Sequence, residues 1–182
     1  MKKLFVCLLF IKCSSPVLHK EEKAPAIIKE IKSAITSEYN SKIVFYIDLS
    51  KSSTDYRFFV IRMKDSMIVN KGLCCNGRTD SYGNVIYSNA PGSNCSSKGI
   101  YSIGSSYTGR FGKAYKLYGL SSTNSNAYKR CVVLHSYWGI PRTAPTFTIC
   151  KSYGCPTVNP DYLKELSEYI DKSKKPILLI IK

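Results

Sequence analysis

Cys155 stands in the run KSYGCPTV (Lys151–Val158), directly after a glycine, and His135 closes the apolar run RCVVLH. A cysteine attacks a carbonyl as its thiolate. It therefore needs a base or a positive field to remove its proton, and N–H groups to hold the oxyanion that the attack creates. His135 is the base on offer, because the other histidine, His19, lies in the charged stretch HKEEK near the N-terminus. Gly154 lets the backbone come close to a reacting carbonyl, and the amides of Tyr153, Gly154 and Cys155 can converge there.

The same residue types admit other chemistry. Cys131, His135, Cys150 and Cys155 give the spacings C-x3-H and C-x4-C. Strand alternation would put Cys131 and His135 on one face, as a zinc site would need. Zinc ligands usually sit two to four residues apart on hairpin turns, however, and CVVLH is apolar enough for a core strand, so no metal site is expected. A Cys131–Cys150 disulfide would leave Cys155 free. The plainest alternative is a buried, inert thiol beside a hydrogen-bonded core histidine.

A single domain of ordinary globular composition is expected from 182 residues, 44% hydrophobic and 21% charged. The net charge of +15 suits a polyanion or an anionic surface. Nucleic acid is not the expected one: there is no zinc-finger spacing, no RNP-like aromatic block and no long Lys/Arg run. The start, MKKLFVCLLFIKCSSP, combines a basic tip with an apolar run too short to span a membrane, and reads as an export leader over 1–15. Cys13 stands where a lipoprotein carries its lipidated cysteine, which would attach the chain to a membrane, although Lys12 replaces the small residue usual before it. Removing the leader takes away Lys2, Lys3 and Lys12 and leaves the chain strongly basic. Six of the eight cysteines then remain, at 74, 75, 95, 131, 150 and 155, an even number that fits an exported chain without fixing any pairing.

Residues 16–25 read as a linker and 26–182 as the domain. Ile27, Ile31 and Ile35, widened by Ile28 and Ala34, form one helix face within Ala26–Tyr39. The runs KIVFYIDL, YRFFVIRM and SMIVNKGL read as a strand meander with a tight turn at Lys64 and Asp65. Cys74 to Ser125 is dense in Gly, Ser, Asn and Tyr, which predicts strands such as GIYSIG and YKLYGL joined by long loops. RCVVLH is a further strand. A helix with Asn159 or Pro160 near its cap and Leu163, Leu166 and Ile170 on one face follows, and PILLII is a final buried strand. The class is mainly β (α+β).

RCVVLHSYWG, separated by 12 residues from SYGCPTV, resembles the histidine and Ser/Thr-x-Gly-Cys signature of the murein L,D-transpeptidase catalytic domains, the YkuD-like family. Sixteen residues lie between His135 and Ser152, within the family's spacing. IDLSKSSTDYRFFVIRM, YSNAPGSNCSSKGIYSIG, YTGRFGKAYKLYGL, TNSNAYKR and GCPTV are similar to its divergent branch, so the likeness runs from about Ile27 to Val158. The resemblance implies an L,D-transpeptidase-like β-sandwich or barrel with a packed N-terminal helix and a helix after the catalytic turn. It implies that Cys155 attacks a peptidoglycan stem peptide, releases the terminal D-alanine and holds the remainder as a thioester. An acceptor amine completes a crosslink, or water makes the enzyme an L,D-carboxypeptidase; a non-catalytic wall-binding protein of the same fold is the alternative. His135 would be the base, Ser136 would orient it through its carbonyl, and Tyr153, Gly154 and Cys155 would form the oxyanion turn. Ser152, Tyr137 and Trp138 would line the substrate site, and no cofactor is implied. The family's usual His before Gly-Cys and Arg after it are replaced by Tyr153 and PTV, so Arg130 or Arg142 is expected to supply the cation for the substrate carboxylate. The expected partners are stem peptides and the anionic wall polymer, in the periplasm or cell envelope.

Overall fold

The computed structural model describes residues 22–24 and 27–182, so the leader over 1–15 and Cys13 lie outside the described residues. In chain order the elements are β1 (Glu22–Lys23), α1 (Ile28–Ala34), β2 (Ile43–Ile47), β3 (Phe58–Arg62), β4 (Met67–Gly72), β5 (Gly99–Gly109), β6 (Gly112–Gly119), β7 (Val133–Ser136), β8 (Thr157–Val158), α2 (Pro160–Asp171) and β9 (Leu178–Ile181). This is the mainly β chain with two helices that the sequence pattern predicts. Within the segment read as a linker, Glu22 and Lys23 pair with Ile68 and Met67, and the Ala24 N–H donates to Ser66 O at 2.9 Å.

Among the described residues nine strands form one sheet in the order β1-β4-β3-β2-β9-β5-β6-β7-β8. The sheet curls far enough for Cys75, just past β4, to pair with Thr157 of β8. That bridge brings opposite ends of the strand order together in a barrel-like closure, and it draws residues 74–76 up to the turn that carries Cys155.

Period-two alternation sorts β2, β3 and β9 between two cores. Phe45, Ile47, Phe58, Val60, Leu179 and Ile181 face one side, where Tyr162, Leu163 and Leu166 of α2 join them. Val44, Tyr46, Phe59, Ile61, Leu178 and Ile180 face the other, covered by Ile27 and Ile31. Each such aliphatic side chain contributes about 1.5–3 kcal/mol on burial. The amphipathic stripe over Ala26–Tyr39 yields a shorter helix, because the backbone is already extended at Ile35. A β-branched pair, Ile35 and Thr36, disfavours another turn there.

α2 begins where the side chain predicts. Asn159 accepts from the N–H groups of Asp161 and Tyr162, with Pro160 in the first turn. Its side-chain amide also donates to Ile140 O at 2.7 Å, tying the helix start to the loop after β7.

Residues 74–76 are held from beneath by Arg57, which is 1% exposed. Its Nε donates to Cys74 O at 2.7 Å and its Nη2 to Asn76 Oδ1 at 2.6 Å. Burial pushes the guanidinium pKa down from its ordinary value, offset in part by nearby Cys74 and Cys75. Its hydrogen bonds compensate for taking that charge from water.

Candidate active site

β7, next to the β8 edge of the sheet, puts His135 opposite Ala114 of β6 on one side and Thr157 of β8 on the other. The imidazole Nδ1 lies 3.0 Å from the carbonyl of Ser136. A carbonyl only accepts, so Nδ1 carries the proton and the neutral ring keeps its Nε2 lone pair. Thr157 Oγ1 lies 3.0 Å from Nε2 and 3.2 Å from the carbonyl of Cys155. One hydroxyl thus serves both protonation states: it donates to neutral Nε2, and accepts from a protonated Nε2 while turning its own hydrogen to Cys155 O. Burial lowers the His135 pKa below its ordinary value, and the Ser136 carbonyl opposes that shift.

Cys155 ends a turn built on Gly154, whose φ is +105°. A Cβ at that position would meet Cys95 O at 2.5 Å, so both conformation and space call for glycine. Ser152 closes the turn by donating to Cys155 O at 2.7 Å and accepting from the Gly154 N–H at 3.1 Å. The Gly154 amide expected to face an oxyanion is therefore committed to the turn itself. Among the described residues, the N–H groups of Tyr153 and Cys155 have no hydrogen-bond acceptor. The thiol is half-buried and forms no disulfide; its Sγ lies 3.8 Å from the carbonyl of Cys131. Burial raises its pKa, opposed by a backbone hydrogen bond from Val133 and by the charge of Arg130. At neutral pH the pair is thiol and imidazole, so activation requires proton transfer to a base.

Cys155 and His135 open on one cavity of about 670 Å³. A family model described as the L,D-transpeptidase catalytic domain matches residues 17–179. The chain belongs to that family. No curated protein matches the chain. Among solved structures, the L,D-transpeptidase from Mycobacterium smegmatis is 12% identical with a TM-score of 0.45, aligned over 78% of this chain and 58% of its own. The helical cell shape determining protein Pgp2 from Campylobacter jejuni (K307A mutant) is 13% identical with a TM-score of 0.50, over 85% of this chain and 52% of its own. The chain spans little more than half the length of either, and at such identities the likeness concerns the fold.

Within this L,D-transpeptidase domain the other expected residues separate into two groups. Tyr137, Ser152 and Tyr153 line the cavity. Trp138, 81% exposed, packs on Tyr137 with ring centroids 5.3 Å apart and is not in the cavity wall. The two arginines expected to meet the substrate carboxylate are engaged elsewhere. Arg142 forms a forked pair with Glu165, with Nη2 2.8 and 2.9 Å from the two carboxylate oxygens. Arg130 braces the loop over Gly154 by donating to Cys95 O at 2.7 Å and Ser88 O at 2.9 Å, and also to Ser97 Oγ. Both guanidiniums point their forks at protein acceptors because those acceptors are preorganised for planar donors.

The cations that do line the cavity are Arg110 and Lys151. Arg110 and Phe111 form the tip between β5 and β6, where Gly109 pairs with Gly112. Phe111 stacks on the His135 ring at 5.2 Å and 19°, and Arg110 lies 5.6 Å from the Phe111 ring. GRFG is legible in sequence as a two-residue hairpin tip. Its landing on the imidazole is not, because that depends on how β6 pairs with β7. The strand RCVVLH also begins later than expected: Cys131 has φ +56° and β7 starts at Val133, so strand alternation does not reach Cys131.

Proposed function

We propose that the domain is a peptidoglycan L,D-transpeptidase with Cys155 as nucleophile and His135 as base. The observation that carries this reading is a reduced, half-buried thiol on a glycine turn opening on the same cavity as an imidazole whose tautomer a backbone carbonyl fixes. Thr157 turns its hydroxyl hydrogen to Cys155 O, and the freed Nε2 lone pair takes the Sγ proton as the sulfur adds to the carbonyl of the scissile stem-peptide bond. The N–H groups of Tyr153 and Cys155 donate to the resulting oxyanion. The amine of the leaving D-alanine takes the proton from Nε2, the C–N bond breaks, and a thioester remains on Cys155. A second stem's amine then attacks the thioester to form a crosslink; attack by water gives L,D-carboxypeptidase action instead.

Arg110 is proposed to meet the donor carboxylate in place of Arg130 and Arg142, with Lys151, whose Nζ donates to Thr79 Oγ1 at 2.5 Å, adding positive charge to the same cavity. The strongly basic chain suits an anionic wall polymer. Among the described residues no helix is long and apolar enough to cross a membrane. The leader-like start supports export to the periplasm or cell envelope, with or without lipidation at Cys13.

Incubating the protein with purified muropeptides tests the reading. Release of D-alanine with formation of 3-3 crosslinks, lost in Cys155→Ala, is expected. No release from the wild type overturns it in favour of a non-catalytic wall-binding protein, for which binding to sacculi would survive Cys155→Ala.

A further inference from the structure

The cavity wall holds two thiols that the proposed chemistry leaves unused. Cys75 Sγ and Cys150 Sγ lie 3.3 Å apart although 75 residues separate them in sequence. Their approach is built in from both sides. Cys75 is 1% exposed and packs with Leu73, Ile140 and Ile149 in a small cluster beneath the loop that follows β7. Ile149, buried in that cluster, delivers its neighbour Cys150 to the surface beside it.

We infer that Cys75 and Cys150 are a disulfide site that fastens the loop returning to the catalytic turn. Bond formation needs the sulfurs to close by about 1.3 Å, toward the ~2.03 Å of a disulfide. Residues 75 and 76 already bracket Cys155: the Cys75 N–H donates to Thr157 O at 2.8 Å, and the Ser152 N–H donates to Asn76 O at 2.8 Å. The new bond adds a covalent third attachment two residues before Ser152. Closing a loop of this length also narrows the unfolded ensemble, which stabilises the fold.

The oxidant is a small disulfide such as oxidised glutathione, or a thiol–disulfide oxidoreductase. Cys150, the exposed partner, attacks as thiolate; its sulfur bonds to one glutathione sulfur and the other glutathione leaves as thiolate. Cys75 then gives up its proton and attacks Cys150 Sγ, expelling the second glutathione, which takes up a proton. Two cysteine thiols are oxidised and one glutathione disulfide is reduced to two thiols. Burial pushes the Cys75 thiol pKa up. The second step therefore accelerates with pH.

The test exposes the full chain to oxidised glutathione, blocks remaining thiols by alkylation and maps peptides without reduction, with fragmentation between residues 74 and 75 to assign the bond. The expected result is a Cys75–Cys150 linkage in the wild type and in Cys155→Ala, absent in Cys150→Ser. The Tm of the wild type should fall by several degrees on adding reductant, with no such fall in Cys150→Ser. Recovery of both cysteines alkylated, or of Cys150 linked to another cysteine, overturns the site. A bond that leaves Tm unchanged overturns the fastening role. Because the linkage is read in Cys155→Ala as well, its outcome is separate from that of the catalytic reading.

Discussion

Thr157 Oγ1 links the His135 ring to the backbone of Cys155: it lies 3.0 Å from His135 Nε2 and 3.2 Å from the carbonyl of Cys155. It occupies the second place after the cysteine, and strand pairing sets it directly across from His135. Replacing it with valine keeps the shape and removes the hydroxyl. Thr157→Val is expected to lower kcat about tenfold, equivalent to ~1.4 kcal/mol in the barrier, with little change in KM. Thr157→Ser should restore most of it. A kcat unchanged in Thr157→Val would show that the ring needs no such partner.

Gly154→Ala should disrupt the nucleophile turn. The added Cβ meets Cys95 O at 2.5 Å, and φ is +105°. A loss of about 1–3 kcal/mol in stability is expected, measured by denaturant unfolding. Alkylation of Cys155 by iodoacetamide should change in rate as its environment opens.

Phe111 covers one face of His135. Phe111→Ala admits water to the ring, so the depressed His135 pKa should rise toward its ordinary value. Titration of the imidazole C2 proton by NMR reads this. An unmoved His135 titration would mean that burial by other residues sets the shift.

Activity should rise through an acid limb below pH 6.5, where the buried His135 loses its proton. Stability changes with pH in the same direction. Between the folded pKa and 6.5 the unfolded chain binds more protons, so stability falls as pH drops through that window. Cys155 acts at the other end. Its raised pKa keeps the folded thiol protonated above 9.0, and stability falls as pH rises from there toward the folded value. Cys155→Ser should lessen the alkaline loss of stability in unfolding curves measured against pH, leaving the part that the buried thiols Cys74 and Cys75 and the buried tyrosines contribute.

Arg110 is the cation on the hairpin tip facing the cavity. Arg110→Ala is expected to raise KM for a carboxylate-bearing stem peptide by about tenfold, the loss of a charge-assisted contact of ~1.4 kcal/mol, with kcat less affected. Arg142→Ala removes the Glu165 pair instead. It should leave KM near the wild-type value.

The linear chain determined whatever depends on neighbours within one or two turns. The runs KIVFYIDL and YRFFVIRM marked strands, and because a pleated strand points successive side chains to opposite sides, runs apolar at every position imply cover on both faces. Asn159-Pro160 marked the start of α2, because a side-chain oxygen there reaches the helix's first free N–H groups. Family segments in order, ending in SYGCPTV, named the cysteine and histidine worth pairing. Tertiary structure alone decided what stands around them. Thr157 meets His135 through the parallel pairing of β7 and β8, Phe111 reaches the ring through the fold of the β5–β6 hairpin, and Cys75 meets Cys150 by closure of the sheet. Arg130 and Arg142 were drawn from the carboxylate role to acceptors brought near by the same folding. These contacts depend on long-range register, which a one-residue slip would overturn and which no local pattern encodes.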